Sequence, residues 1–354
     1  VDTVQRDQNS GFSAYAIPVA IATVIFVGIV LHFITDAFLT FVAALFIANI
    51  FMPLVSQLRK WKLPMVVSIL VVLALVGVLL FGVAVFVVAT VSSVTDVLPK
   101  YQQRWDHVLL PGIMNLVGSI SSDLAKQATE FTFSSVLHPS RIIDALSSIT
   151  GLLSSFMLIL LFTLFILASQ GQFGAKIERA FPPSRALFFK TIVGNIEKRV
   201  RRYLLTTLLI NTLAAITMSV VLLIFGVDLA IVWGVLTFLL MFIPNFGSLF
   251  AIALPILVAF LQFDSVITPV MIGVVVILTQ LIIGSYISPK LMGSSLNLSP
   301  LLILISIIFW GWVWGPLGMI LAVPITSAIA IIFENIPSLH PLAVLMSAGG
   351  QKSN

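Results

Sequence analysis

Five stretches of roughly twenty apolar residues constrain this chain more than any other feature. They run approximately Ala14 to Phe33, Ala37 to Val55, Met65 to Val91, Leu152 to Ser169 and Tyr203 to Phe225, and none carries Asp, Glu, Lys or Arg in its interior. At ~1.5 Å per residue, a helix of that length matches the ~30 Å hydrocarbon core of a bilayer. With no water there to bond the backbone, only helices or closed barrels can cross. Runs this long and unbroken predict an all-α polytopic membrane protein. Charged residues make up only 9% of the chain, against about 25% in soluble domains, which excludes a soluble domain, a disordered chain and a secreted disulfide scaffold. The absence of Cys removes disulfides, thiolate metal sites and Cys nucleophiles. Asp2, Arg6 and Asp7 give no basic leader ahead of the first run, so it reads as a retained span rather than a signal peptide.

The charges sit between the runs and orient them. Arg6, Arg59, Lys60, Lys62, Lys176, Arg179, Arg185, Lys190, Lys198, Arg199, Arg201, Arg202, Lys290 and Lys352 fall on one side. Lys100, Arg104, Lys126 and Arg141 share the segment from Ser92 to Thr150 with five acids. Positive charge concentrates on the cytoplasmic side, so both termini are expected there and residues 92–150 outside.

After Phe225 the pattern changes. The 35 residues between Asp228 and Asp264 would extend ~52 Å as helix, too little for two full crossings and a turn. Their centre reads Ile243-Pro244-Asn245-Phe246-Gly247. One span, Ile267 to Ile287, follows, and then a second apolar stretch, Pro300 to Ile336, is interrupted at Trp314-Gly315-Pro316-Leu317-Gly318. Pro removes a backbone donor and Gly frees the backbone. Two broken hairpins flanking one span are therefore expected, a pattern that points to a transporter's binding site. The alternative is ordinary Pro kinks in full spans.

Two loops carry patterns of their own. Val94, Val97, Leu98, Tyr101, Trp105, Val108 and Leu109 recur at helical spacing and predict an amphipathic helix in the 92–150 segment. The segment from Gly174 to Tyr203 ends with Ile192, Ile196, Val200 and Leu204 on one face, and Lys198, Arg199, Arg201 and Arg202 on the other. A basic amphipathic helix anchored on anionic membrane lipid is the expectation for those four residues. Nucleic acid is not an expected partner, because no aromatic stacking platform accompanies the charges.

Catalytic chemistry is missing. Asp36, Asp228, Asp264 and Glu334 stand at span ends, and His107 and His138 stand in a loop without partners at metal-ligand spacing. No HExxH motif, buried Asp pair or Ser with a His base occurs, so neither enzyme activity, a metal nor a cofactor is expected. The remaining polarity in the spans is uncharged: Asn49, Asn211, Asn245, Thr237, Gln280 and Ser285, with Trp233 and Trp310 near the breaks. Such a lining suits a neutral polar small molecule better than an ion requiring a fixed countercharge. Asn245, Trp233, Thr237, Gln280, Ser285 and Trp310 are accordingly the candidate substrate-binding residues. Pro244, Gly247, Pro289, Gly293, Gly315, Pro316, Gly318 and Pro324 are the candidates for shaping the broken backbone. Bound Na⁺ on exposed carbonyls is the other reading of those breaks.

The motifs Ile243-Pro244-Asn245-Phe246-Gly247-Ser248, Ser288-Pro289-Lys290-Leu291-Met292-Gly293, Leu298-Ser299-Pro300, Phe309-Trp310-Gly311-Trp312 and Gly315-Pro316-Leu317-Gly318-Met319, with Pro324, together resemble the autoinducer-2 exporter family of bacterial membrane proteins. The resemblance implies an inner-membrane protein with about eight membrane segments that assembles as a homo-oligomer, a pentamer. It also implies export of the quorum signal autoinducer-2, while some relatives act as Na⁺(Li⁺)/H⁺ antiporters. Many relatives carry an acid where this chain has Ser288, which argues against proton coupling here. The expected organisation is residues 1–91, three spans; 92–150, an extracytoplasmic helical loop; 151–202, a fourth span and basic helix; 203–336, the transport region; and 337–354, a cytoplasmic tail. The two hairpins are expected to meet near the midplane, and alternating access to move the Trp233 to Pro324 region against the first spans. A cation/proton antiporter and a non-transporting scaffold are the competing functions.

Overall fold

The structure, a computed structural model, describes residues 28, 35–106, 111, 156–169, 172–244, 246–292 and 297–348. The described residues contain no strand, and their helices are α1 (Thr35–Lys60), α2 (Met65–Arg104), α3 (Phe156–Ser169), α4 (Gln172–Ala180), α5 (Pro183–Ile224), α6 (Ala230–Leu240), α7 (Phe246–Gln262), α8 (Ile267–Leu281), α9 (Ser288–Met292), α10 (Pro300–Asn335) and α11 (His340–Met346). By length and composition alone, five helices among the described residues are long and apolar enough to cross a membrane: Phe38–Lys60, Met65–Phe86, Pro183–Ile224, Ile267–Met292 and Pro300–Asn335, the last of which is bent within itself. The expected first span, Ala14 to Phe33, lies outside the described residues apart from Gly28, as does most of the 92–150 segment. The chain divides into a central unit, Ile47–Leu296, and a terminal unit, Val1–Phe46 with Asn297–Asn354.

In the central unit, α2 runs past Val91 to Arg104 without a break, although Pro99 lies inside it. The helical periodicity from Val94 onward therefore continues the span rather than starting a separate element. The basic segment does likewise. It forms the first half of α5, one helix of 42 residues and ~63 Å. Helix α5 stops at Phe225 through paired bonds from Gly226 N to Leu223 O (3.1 Å) and Val227 N to Leu222 O (2.9 Å), with Gly226 at φ 68°. That is the left-handed glycine cap, which satisfies two terminal carbonyls at once. Two of the apolar clusters in the unit join its longer helices. Ala48, Val55, Ile69, Val72, Val76 and Leu167 join α1, α2 and α3, and Met218, Leu222, Ala230, Ala259, Ile272 and Val276 join α5, α6, α7 and α8. Small residues bring α5 and α6 together, since a Cβ on Gly234 would lie 1.8 Å from Ser219 Oγ and 2.8 Å from the Ala215 carbonyl.

In the terminal unit, α10 folds back on itself. Trp314 (φ −129°, ψ 15°) and Gly315 (φ 64°, ψ −148°) leave helical geometry. The hydroxyls of Ser306 and Thr326 then meet at 3.0 Å, where a straight helix would hold them ~30 Å apart. The stretch is thus a hairpin of residues 300–313 and 316–335 rather than a kinked span. Its first arm, ~21 Å long, is too short to cross a membrane. Ser299 caps that arm by accepting from Leu302 N (3.1 Å), ahead of Pro300. Ser299 N donates to Met346 O (2.9 Å) and Ala348 N to Asn297 O (3.2 Å), which ties the end of α11 to the base of the hairpin.

Candidate functional site

The first hairpin, α6 and α7, turns at Met241–Pro244, where the motif placed its break. At 11 and 17 residues its arms measure ~17 and ~26 Å, each short of a crossing. The tip satisfies most of its own backbone: Ile243 N donates to Leu240 O (2.9 Å), Gly247 N to Ile243 O (2.9 Å) and Phe246 N to Pro244 O (2.8 Å). Phe242 N turns to Leu239 O (3.3 Å), which deprives the Phe238 carbonyl of its helical donor. Asn211 of α5 replaces it, its Nδ2 donating to Phe238 O at 3.2 Å. Asn211, read from sequence as part of a polar lining, is thus a cap on the hairpin.

The candidate substrate residues of the central unit differ in what they leave open. Thr237 is fully buried and donates its hydroxyl proton to Trp233 O (2.8 Å). Trp233 packs against the core of Met218, Leu222 and Ile272, and its indole Nε1 is buried with no acceptor. Gln280 is 6% exposed, and its Nε2 has no acceptor either. It follows Val276 of the core of Met218, Leu222 and Ile272 and precedes Ile283, which packs with Ile210, Ala214 and Met241. Unpaired N–H groups inside an apolar interior cost about 1–3 kcal/mol each. Ser285 lies exposed on the π-helical turn Ile282–Ile287 that joins α8 to α9, and Pro289 is exposed on α9. Asn245 and Gly293 lie outside the described residues.

At the open end of this hairpin, α2 supplies a latch that the sequence reading missed. Tyr101 donates its hydroxyl to Asp228 Oδ2 (3.0 Å). Arg104 pairs with Asp264 and donates to Phe263 O. Gln262 closes the base, accepting from Asp228 N (2.7 Å) and donating to Gly226 O (2.8 Å). Burial, reinforced by Asp228, pushes the Tyr101 hydroxyl well above the ordinary tyrosine range, so it stays a donor at physiological pH. The hydrogen bond from Arg104, and then its charge, hold the Asp264 carboxyl below the usual carboxylate range. Because that folded value is depressed, the ion pair contributes above the ordinary Asp pKa of about 3.9 and is lost as pH falls through the folded value. Arg104→Gln should therefore raise amide hydrogen exchange around Asp264 at neutral pH, whereas the parent should show the same rise only in stronger acid. The effect is small, because the Asp264 side chain is 98% exposed.

In the terminal unit, Trp310 Nε1 donates to Thr326 Oγ1 (3.4 Å), Thr326 to Ser306 (3.0 Å), and Ser306 to Leu302 O (2.7 Å). This directional chain crosses the inside of the second hairpin. Trp310 is thereby engaged, stacked also on Trp314 at 4.8 Å. Gly318 and Pro324 are buried beside it, and Gly315 and Pro316 form the turn. The four basic candidates lie on α5. Lys198 and Arg202 are exposed, Arg199 is half-buried, and Arg201 reaches Asn49 of α1. The described residues hold no group of three His, Asp or Glu that could bind a metal.

Several apolar helices long enough to span a membrane, together with two helical hairpins that have arms too short to do so, mark a polytopic membrane protein of the transporter class. Residues 21–338 match the AI-2E family of transporters, and the chain belongs to that family. It is 27% identical over 319 residues to the AI-2 transport protein TqsA of Escherichia coli (strain K12), covering 90% of this chain and 91% of that protein. It is 30% identical over 303 residues to a putative transport protein of Borreliella burgdorferi, covering 85% and 82%. Identity to the putative transport protein YhhT of Escherichia coli (strain K12) is 27% over 331 residues, 91% of each chain.

Proposed function

We propose that this transporter exports a small neutral polar metabolite of the autoinducer-2 kind from the cytoplasm. The observation that carries the reading is the pair of buried, unanswered donors, Trp233 Nε1 and Gln280 Nε2, beside the first hairpin. They stand in a region with no Asp, Glu, Lys or Arg from Leu229 to Phe263 or from Ser265 to Pro289. Donors without charge select a solute rich in hydroxyl and carbonyl oxygens, and give a coupling ion no carboxylate to titrate. Asn245, between Pro244 and Phe246 in sequence, and Ser285 on the π turn complete the proposed path. The positive-inside count supports cytoplasmic termini in a bacterial inner membrane. The homopentamer that the family resemblance implies, with the basic face of α5 on anionic lipid, is the proposed assembly.

The test is purified protein in liposomes loaded with autoinducer-2, with efflux recorded alongside internal pH after a Na⁺ or Li⁺ pulse. Gln280→Leu and Trp233→Phe should each slow efflux about fivefold to tenfold, the equivalent of one hydrogen bond near 1 kcal/mol. Gln280→Leu should also raise the melting temperature, because it removes an unpaired buried donor while keeping similar volume. Efflux that is unchanged by either substitution would remove these residues from the path. A cation-driven pH change would replace the exporter reading with an antiporter.

A further inference from the structure

Helix α1 contains Pro53, which has no N–H, so the carbonyl four residues earlier, that of Asn49, loses its helical donor. Arg201 of α5 supplies one. Its Nε donates to Asn49 O at 3.0 Å and to Asn49 Oδ1 at 3.1 Å, and Asn49 Nδ2 donates back to Glu197 O at 3.3 Å. The guanidinium is thus fixed through Nε alone. Its two Nη groups bond to nothing among the described residues and are not sealed from the surroundings. Among the described residues no carboxylate pairs with it. Arg201 is in neither the Arg104–Asp264 nor the Lys190–Glu178 pair. Glu197 stands at the spacing that pairs well with an Arg four residues on, yet it makes no such contact. Arg201 and Arg202 are the last charges before the uncharged run from Tyr203 to Val227, where an unpaired charge is most costly. Lys198, one turn before Arg201, is exposed.

We propose that Arg201, oriented by Asn49, forms with Lys198 a discrete binding site for a phosphate group at the foot of α5. Two free Nη groups in a fixed fork suit two phosphate oxygens, and Lys198 adds a point charge. This is a defined site rather than diffuse attraction of a basic face to lipid, and it holds whatever the protein transports. The phosphate can come from a lipid headgroup or from a free phosphorylated solute.

Removing Arg201 alone would also strand the Asn49 carbonyl and so confuse folding with binding. The test therefore uses Pro53→Ala, which restores a helical N–H for that carbonyl, as the parent background. P53A and P53A/R201Q should melt within a few degrees of each other. In detergent, the full-length proteins are titrated with inorganic phosphate and glycerol 3-phosphate at constant ionic strength. In nanodiscs, retention of phosphatidylglycerol over phosphatidylcholine is read by native mass spectrometry. Loss of one charge-assisted bond predicts about tenfold weaker binding in P53A/R201Q. Arg201 dependence in detergent alone identifies a free phosphate ligand, and in nanodiscs alone a lipid headgroup. Equal binding by both proteins in both arms overturns the site.

Discussion

Gly247→Ala is expected to abolish the folded first hairpin and, with it, transport. An alanine Cβ there would lie 1.8 Å from the Leu240 carbonyl oxygen, 2.5 Å from its carbon and 3.1 Å from Met241 Cα. All three are backbone atoms, so no side chain can swing away, and relief requires the tip to open. Opening it breaks the Ile243–Leu240 and Gly247–Ile243 bonds. Overpacking ordinarily costs about 1–3 kcal/mol, and a clash against fixed backbone belongs at or beyond the top of that range. Gly194→Ala is the matched control. Nothing lies within 4 Å of its Cβ position in mid-α5, so alanine should stabilise it by about 0.4–1 kcal/mol. The melting temperatures of the two variants should move in opposite directions, and only Gly247→Ala should lose liposome efflux. A Gly247→Ala protein that melts and transports like its parent would show that the tip is looser than this packing requires.

The architecture was legible because membrane burial writes itself into composition. The uncharged runs at Ala37 to Val55, Met65 to Val91 and Tyr203 to Phe225 fall in helices long enough to span, and Pro244, Gly247, Gly315 and Gly318 marked both turns, since Pro and Gly interrupt an apolar helix. Whether the second turn was a kink or a fold-back was not legible. That depends on Ser306 meeting Thr326 twenty residues away, and no local pattern encodes a long-range contact. The candidate site was read through residue type, which overstates what polar side chains have free. Asn211 is used up capping Phe238, and Thr237 bonds within its own helix, whereas Trp233 and Gln280 keep unanswered donors. The latch from Tyr101 and Arg104 escaped notice because its partners lie 127 and 160 residues away. Arg201 was half legible: Pro53 announces an orphan carbonyl at Asn49, but not which helix answers it.

The second hairpin yields the other large effect, and the chain's lack of Cys makes it measurable. At Gly318 a Cβ would meet the Trp310 carbonyl oxygen at 1.9 Å and Trp314 Cβ at 2.9 Å. At Gly315, φ 64° with ψ −148° falls in a region open essentially to glycine, with a penalty of about 1–3 kcal/mol for other residues. Gly318→Ala should therefore force the arms apart and break the chain from Trp310 through Thr326 to Ser306. Ser306→Cys with Thr326→Cys places two thiols where hydroxyls now stand 3.0 Å apart, the only cysteines in the molecule. Mild oxidation should crosslink this pair rapidly in the parent and far more slowly with Gly318→Ala. Gly315→Ala should fall between them, because its strain is conformational and its Cβ meets nothing within 4 Å. Failure of the parent pair to crosslink would mean that α10 runs straight through the membrane. The arm of residues 300–313 would then be half of one continuous helix rather than one side of a hairpin.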